Sequence, residues 1–203
     1  MVNLRPLLGQ AIIFWFHFAT DNRKIKTIMR TPWLFILVGN NDTGKTTLQK
    51  GIIKQLCSVD YTRLTTNVFL DITCLDAPRR LATLFAANRS FQEKRDEYKT
   101  VKDYFSNYFK EASVAIISSH SHSAKAEIEE MIEEGKRRFY NVAAVFFSNA
   151  IDDGVRDISS SLNWDERIYL DNPHAENSEG IENNIAAASA YMADLIIGKF
   201  TRK

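Results

Sequence analysis

An eight-residue stretch with two glycines constrains this chain more than any other feature. Residues 39–46 read Gly-Asn-Asn-Asp-Thr-Gly-Lys-Thr, which matches the pattern G-x-x-x-x-G-K-[ST] at every specified position. Residues 33–38 before it are all apolar, and residues 47–56 after it carry apolar side chains at helical spacing. A strand, a glycine loop and a helix in this order predict the first unit of an α/β fold.

The residue types in this loop suit a phosphate group. Gly39 and Gly44 let the backbone curve so that successive N–H groups converge, and the following helix directs its positive end to the same place. Lys45 can reach the β- and γ-phosphates of ATP, and the Thr46 hydroxyl can ligate Mg²⁺. The predicted nucleotide-binding residues are Gly39, Asn40, Asn41, Asp42, Thr43, Gly44, Lys45, Thr46 and Thr47.

Composition limits the class of protein without identifying its function. The 203 residues suffice for one α/β domain with a core, and 45% hydrophobic and 25% charged residues are ordinary for a globular chain. A net charge of +1 gives no sign of a broad nucleic-acid or membrane surface. The spacing of Cys57 and Cys74 fits neither a disulfide framework nor a metal site, which favours reduced thiols in a cytoplasmic protein.

The N-terminal extension, residues 1–30, contains an apolar segment at residues 7–19, LLGQAIIFWFHFA. This segment is too short to span a bilayer comfortably, and no small-x-small cleavage site of a signal peptide follows it. We expect a helix that packs on the domain or on a partner chain, including a second copy in a homo-oligomer. Residues 31–203 then form the domain that carries the loop.

Beyond the first helix, short apolar runs alternate with stretches of helical character. The further predicted strands are 67–70, 113–118, 142–147 and 167–170. The further predicted helices are 76–112 with a break near 88–90, 123–138 and 181–197. Five apolar strands alternating with helices predict a parallel sheet covered on both faces.

The loop and this layout, over about residues 32–198, resemble the P-loop kinases of small molecules and polynucleotides. Within that group the chain looks most like the zeta-toxin, gluconate-kinase and polynucleotide-kinase type. Residues 168–173, Ile-Tyr-Leu-Asp-Asn-Pro, with a long helix after them, are similar to the last strand and helix of those kinases. The resemblance implies a three-layer P-loop fold with a five-stranded parallel sheet in the order 2-3-1-4-5.

Phosphoryl transfer also needs groups near the acceptor, and the resemblance indicates candidates besides Lys45. Asp71 ends the predicted second strand, where similar kinases often place a base carboxylate; a turn or helix-cap role is the equal alternative. Arg89 lies at the predicted helix break, in the region that binds the acceptor in similar kinases. Arg156, after the fourth strand, is either an arginine finger or the partner of a neighbouring aspartate.

The third predicted strand departs from the kinase pattern, because no carboxylate ends it. Residues 118–122 read Ser-Ser-His-Ser-His, and a hydroxyl there can hold a water molecule bound to Mg²⁺. Ser119 and His120 are therefore candidate substrate-binding residues. The alternative is that they are polar residues opening the next helix.

We expect ATP-dependent phosphoryl transfer to a nucleotide, a polynucleotide end or another small hydroxyl compound. A regulatory ATPase or switch is the first alternative, although the chain lacks the hhhhDE strand and signature segment of transporter-type ATPases. A degenerate kinase fold that serves as a binding module is the second. The missing carboxylate favours that module, whereas the intact Lys45–Thr46 pair opposes it.

Overall fold

The computed structural model describes residues 31–172 and 178–201, the backbone alone at 178–182. The expected N-terminal helix and its packing lie outside these residues. The strands are β1 Trp33–Val38, β2 Asn67–Asp71, β3 Thr83–Ala87, β4 Val114–Ser119, β5 Asn141–Phe147 and β6 Glu166–Leu170. The helices are α1 Lys45–Cys57, α2 Arg95–Tyr98, α3 Val101–Asn107, α4 Lys125–Arg137, α5 Asp153–Ser161 and α6 Ser178–Thr201.

The strands form one six-stranded sheet in the order β2-β3-β4-β1-β5-β6. Neighbouring strands run parallel except at one edge, where β2 is antiparallel to β3. The prediction of an α/β fold with a mostly parallel sheet is confirmed. The predicted count of five strands and their order are wrong, because β3 was not foreseen and β2 runs against its neighbour.

β3 lies in a segment for which the sequence predicted a helix, residues 76–112. Its residues Thr-Leu-Phe-Ala-Ala include leucine and alanine, which are good helix formers. The strand pairs with β2 on one side and with β4 on the other, and four of its five residues are buried. Backbone pairing with two neighbours outweighs a local preference of this size. The helical prediction holds only further along, at α2 and α3.

Buried side chains of β1 alternate between two cores, one on each face of the sheet. Leu34 and Ile36 join the core formed with α3, α4 and α5. Phe35 and Leu37 join the core formed with α1 and α6. A strand covered on both faces reads as an unbroken apolar run, as β1 does. The result is a three-layer arrangement with the sheet in the middle.

No helix among the described residues combines the length and the apolar character needed to cross a membrane.

Helices α1 and α6 approach each other closely at Gly51. Opposite it on α6, Ser189 is buried and its hydroxyl donates a hydrogen bond to the Ile185 carbonyl oxygen at 2.7 Å. A Cβ added at Gly51 would lie 2.5 Å from the Ser189 Cβ, closer than two carbon atoms can approach. The spacing of the two helices therefore requires a residue without a side chain here.

We expect Gly51→Ala to lower the free energy of unfolding by about 1–3 kcal/mol, the usual cost of overpacking a core. Gly198→Ala is the matched control, because a Cβ there would meet nothing within 4 Å. The control should be neutral or stabilise by up to about 1 kcal/mol, since alanine is the better helix former. Denaturant unfolding gives the free energy of unfolding of both variants. Equal changes in the two would contradict the close approach of the helices at Gly51.

Candidate functional site

A cleft of about 760 Å³ opens along the edge of the sheet where the parallel strands end. Residues that follow β1, β3, β4, β5 and β6 all contribute to its lining. Open α/β sheets generally bind their ligands at this edge. Of the predicted nucleotide-binding residues, 41–47 line the cleft.

The loop between β1 and α1 has a backbone that depends on its glycines. Gly44 has φ 93°, a left-handed conformation, and a Cβ there would lie 3.0 Å from the Ile185 Cδ1. At Gly39 a Cβ would lie 2.9 Å from the Thr43 Oγ1. Alanine would therefore meet the Ile185 side chain at position 44, and the Thr43 side chain of the loop itself at position 39.

Lys45 opens α1, and its ammonium group folds back over the loop. The Nζ donates hydrogen bonds to the carbonyl oxygens of Gly39 at 2.6 Å and Asn40 at 2.5 Å. Burial lowers the pKa of Lys45 from 10.5 to about 8, although the Glu93 and Asp42 carboxylates act in the opposite direction. A phosphate in the cleft would offer the ammonium stronger, charged acceptors than these carbonyl oxygens.

Thr46, the predicted Mg²⁺ ligand, is exposed and lines the cleft beside Lys45. Its side chain is therefore accessible to a metal ion carried by a nucleotide. A hydroxyl oxygen is a suitable ligand for Mg²⁺, which in such sites usually keeps several waters and takes further oxygens from substrate phosphates.

Two neighbouring segments hold the loop in place. The Asn40 Oδ1 accepts hydrogen bonds from the Ser121 hydroxyl at 2.9 Å and from the His122 backbone N–H at 3.4 Å. After β6, the buried Asn172 donates from Nδ2 to the Thr43 carbonyl oxygen at 3.1 Å. The segments after β4 and β6 thus both brace the loop. No sequence pattern indicates this role for Asn172.

Two arginines line the cleft beside the loop. Arg89, a predicted substrate-binding residue, follows β3 and lines the cleft with a half-exposed side chain. Arg63, which the sequence analysis had not singled out, lies in the connection between α1 and β2. The Asn88 Nδ2 donates to the Leu64 carbonyl oxygen at 2.9 Å, which ties together the segments that carry the two arginines. Guanidinium groups in such a position suit an anionic ligand.

Glu93 is the main functional candidate that sequence reasoning missed. Its backbone N–H donates to the Ser90 Oγ at 3.2 Å, and its Oε2 accepts from the Ser90 backbone N–H at 3.0 Å. This reciprocal pair is the arrangement of a capping box. The Ser-x-x-Glu pattern of residues 90–93 was the signal that could have indicated it. The Oε1 lies 3.5 Å from the Arg89 guanidinium and 3.9 Å from the His120 Nε2.

Ser119 and His120, the two predicted substrate-binding residues after the third predicted strand, have different positions. Ser119 ends β4, is fully buried, and donates a hydrogen bond to the His120 carbonyl oxygen at 3.0 Å. It is absent from the cleft lining, whereas His120 is part of it. Burial, and then the positive charge of Lys45, lower the pKa of His120, so its imidazole is neutral at neutral pH.

Asp71 does not have the position expected of a catalytic carboxylate. It pairs with Thr83, the first residue of β3, because β2 runs antiparallel to the rest of the sheet. At about 3.3 Å per strand residue, this places it about 20 Å from the loop along the strand direction. The expectation that it ends a strand on the loop side is wrong.

Arg156 shows the second of its two predicted arrangements. It lies on α5, and its guanidinium is 2.8 Å from the Asp153 carboxylate. Both side chains are largely exposed, and Arg156 is not part of the cleft lining. The structure therefore gives no support to an arginine finger at this position.

No protein-family model matches this chain, and no curated protein matches it either. The interpretation of the cleft depends on its motif and its geometry.

Asn40 provides a test of how the loop is held. We expect Asn40→Ala to lower the free energy of unfolding by about 1–3 kcal/mol, because the buried Ser121 hydroxyl loses its acceptor. Asn41→Ala, at the exposed neighbouring position, should change it by less than about 0.5 kcal/mol. Thermal or denaturant unfolding gives both values, and equal effects would show that the Asn40 contacts do not hold the loop.

Proposed function

We propose that the protein binds Mg²⁺·ATP and transfers the γ-phosphoryl group to a hydroxyl of a nucleotide, a polynucleotide end or another small acceptor. The observation that carries this proposal is the G-x-x-x-x-G-K-T loop at the carboxyl end of the central strand β1, with Lys45 and Thr46 beside the cleft. This combination of motif, strand and helix N-terminus has the properties of a phosphate site. We also place the protein in the cytoplasm, where ATP is available.

In the proposed complex, the triphosphate lies along the loop with its oxygens facing the backbone N–H groups at the start of α1. Lys45 exchanges the carbonyl oxygens of the loop for the β- and γ-phosphates. Thr46 contacts the Mg²⁺ that accompanies the nucleotide. Positioning and charge neutralisation of this kind supply most of the catalysis in phosphoryl transfer.

The order of the parallel strands supports the kinase assignment. The five parallel strands lie in the order β3-β4-β1-β5-β6, with β2 added at the edge beside β3. Numbered along the chain without β2, these strands read 2-3-1-4-5, the order that the resemblance to P-loop kinases implies. On this interpretation the second strand of the kinase pattern is β3, and the acceptor region begins after Ala87.

The charges around the cleft favour an acceptor that is itself anionic. Arg63, Arg89 and Lys50 line the cleft beyond the phosphate loop. The Lys50 Nζ donates to the Thr62 carbonyl oxygen at 3.2 Å, so this cation lies next to the segment of Arg63. A nucleotide or a polynucleotide end would bring phosphate to these groups, which is the ligand that guanidinium groups bind best.

The proposed binding of Mg²⁺·ATP predicts that Lys45→Ala loses affinity for this nucleotide while a matched control does not. Losing a charged hydrogen bond to phosphate costs about 1.5–3 kcal/mol, which is a decrease of about 10- to 100-fold in Mg²⁺·ATP affinity. Lys54→Ala is the matched control, because Lys54 lies on the same helix but pairs with Asp60 at the surface. Calorimetry should show wild-type affinity for the control. Equal affinities of the two variants would contradict the assignment of the loop.

The transfer half is tested by Mg²⁺·ATP turnover with a panel of nucleosides, nucleotides and 5′-hydroxyl oligonucleotides. We expect turnover to rise with at least one acceptor, with a phosphorylated product and ADP in equal amounts. Hydrolysis that no acceptor changes would favour the regulatory ATPase. Binding of ATP without any turnover would favour the binding module.

A further inference from the structure

Two acidic residues line the cleft within the described part of the chain, Asp42 and Glu93. Asp42 is exposed on the phosphate loop itself, at a left-handed turn with φ 61°. Glu93 follows β3, which is separated from β1 by β4, and so belongs to the acceptor region of the proposed kinase. We propose that Glu93 is the general base that takes the proton of the acceptor hydroxyl, an inference that rests on the proposed function.

The two carboxylate oxygens of Glu93 have different surroundings. Oε2 is held by the Ser90 backbone N–H at 3.0 Å, which fixes the orientation of the group. Oε1 is 3.5 Å from the Arg89 guanidinium and 3.9 Å from the His120 Nε2. That nitrogen is buried and has no hydrogen-bond partner among the described residues. One oxygen is thus anchored, and the other faces a polar atom that lacks a partner.

The 3.9 Å gap between the Glu93 Oε1 and the His120 Nε2 is too long for a direct hydrogen bond. The His120 Nε2 has no surface open to a water-sized atom, whereas the Glu93 side chain is about one-third exposed and lines the cleft, so an acceptor hydroxyl can reach Oε1 from the cleft side. We place the acceptor hydroxyl on this side of Oε1. Glu93 also interacts electrostatically with the Lys45 ammonium, the group assigned to the β- and γ-phosphates. The base and the phosphoryl donor therefore share one end of the cleft.

In the proposed step, the acceptor O–H bond breaks and its proton passes to Glu93 Oε1. The acceptor oxygen forms a bond to the γ-phosphorus. The bond from that phosphorus to the β,γ-bridging oxygen breaks, and its electron pair leaves with ADP. Glu93 then returns its proton to water.

Glu93→Gln separates the charge of this side chain from its structural role, because glutamine also forms a capping box with Ser90. The test has two measurements. Calorimetry gives the affinity for Mg²⁺·ATP, and a turnover assay gives kcat with the best acceptor of the panel, or with water if no acceptor raises the rate. We expect kcat to fall by about 10²- to 10⁴-fold, the usual contribution of a general base. Affinity for Mg²⁺·ATP should not weaken by more than about twofold, since the proposed complex gives Glu93 no contact with the nucleotide.

Two substitutions serve as matched controls. Glu97→Gln removes a carboxylate from α2 that pairs with Lys94 at 2.8 Å and does not line the cleft. Asp71→Asn removes the carboxylate at the opposite edge of the sheet. Both controls should retain wild-type kcat. If Glu93→Gln does not fold, Glu93→Asp keeps the charge while withdrawing Oε1, and should lower kcat by at least about tenfold.

A Glu93→Gln kcat within about threefold of wild type would overturn the role of Glu93 and leave the proposed transfer intact. Weaker Mg²⁺·ATP binding with unchanged kcat would assign Glu93 to the nucleotide and overturn it as well. A wild-type protein that binds ATP without turnover contradicts both proposals. The wild type thus tests the proposed function, and the variant tests the base.

Discussion

The buried side-chain amide of Gln49 connects the parts of the chain that form the cleft. Gln49 lies one turn after Lys45 on α1, and its Nε2 donates to the Ala87 carbonyl oxygen at 3.0 Å and to the Ser118 Oγ at 3.1 Å. Ala87 ends β3, and Ser118 lies next to the end of β4. Because a buried polar group left without its partners costs about 1–3 kcal/mol, these bonds favour one relative position of helix and strands. Lys45, Glu93 and His120 face the same cleft as a result.

The groups around the Lys45 ammonium partly offset the cost of burying it in the cleft. Burial disfavours the ammonium form of Lys45, and the carboxylates of Glu93 and Asp42 partly offset that effect. The carbonyl oxygens of Gly39 and Asn40 supply hydrogen bonds to the same ammonium. When a phosphate binds there, the Lys45 ammonium exchanges the carbonyl oxygens for phosphate oxygens. Because the ammonium is already buried, binding does not have to remove it from water again. This arrangement is compatible with the proposed binding and release of a polyanion.

Several elements could be predicted from local sequence because each has a pattern that needs no distant partner. The strand before the loop, the helix after it, and β5 and α4 all follow from apolar runs and helical spacing. β3 could not be predicted this way, since a five-residue run containing leucine and alanine fits a helix equally well. The same error hid Glu93, which falls within the predicted helix although its Ser-x-x-Glu pattern is present in the sequence.

The sequence by itself determined the G-x-x-x-x-G-K-T loop, since glycine conformational freedom and the lysine and threonine side chains are properties of the residues themselves. It also determined that the chain alternates strands with helices. The tertiary structure decided which carboxylate faces the cleft. Asp71 and Glu93 both lie near strand ends, but β2 pairs antiparallel with β3, so its last residue lies at the far edge of the sheet. Side chains alternate with a period of two in parallel and antiparallel strands alike, so only long-range backbone pairing decides strand direction.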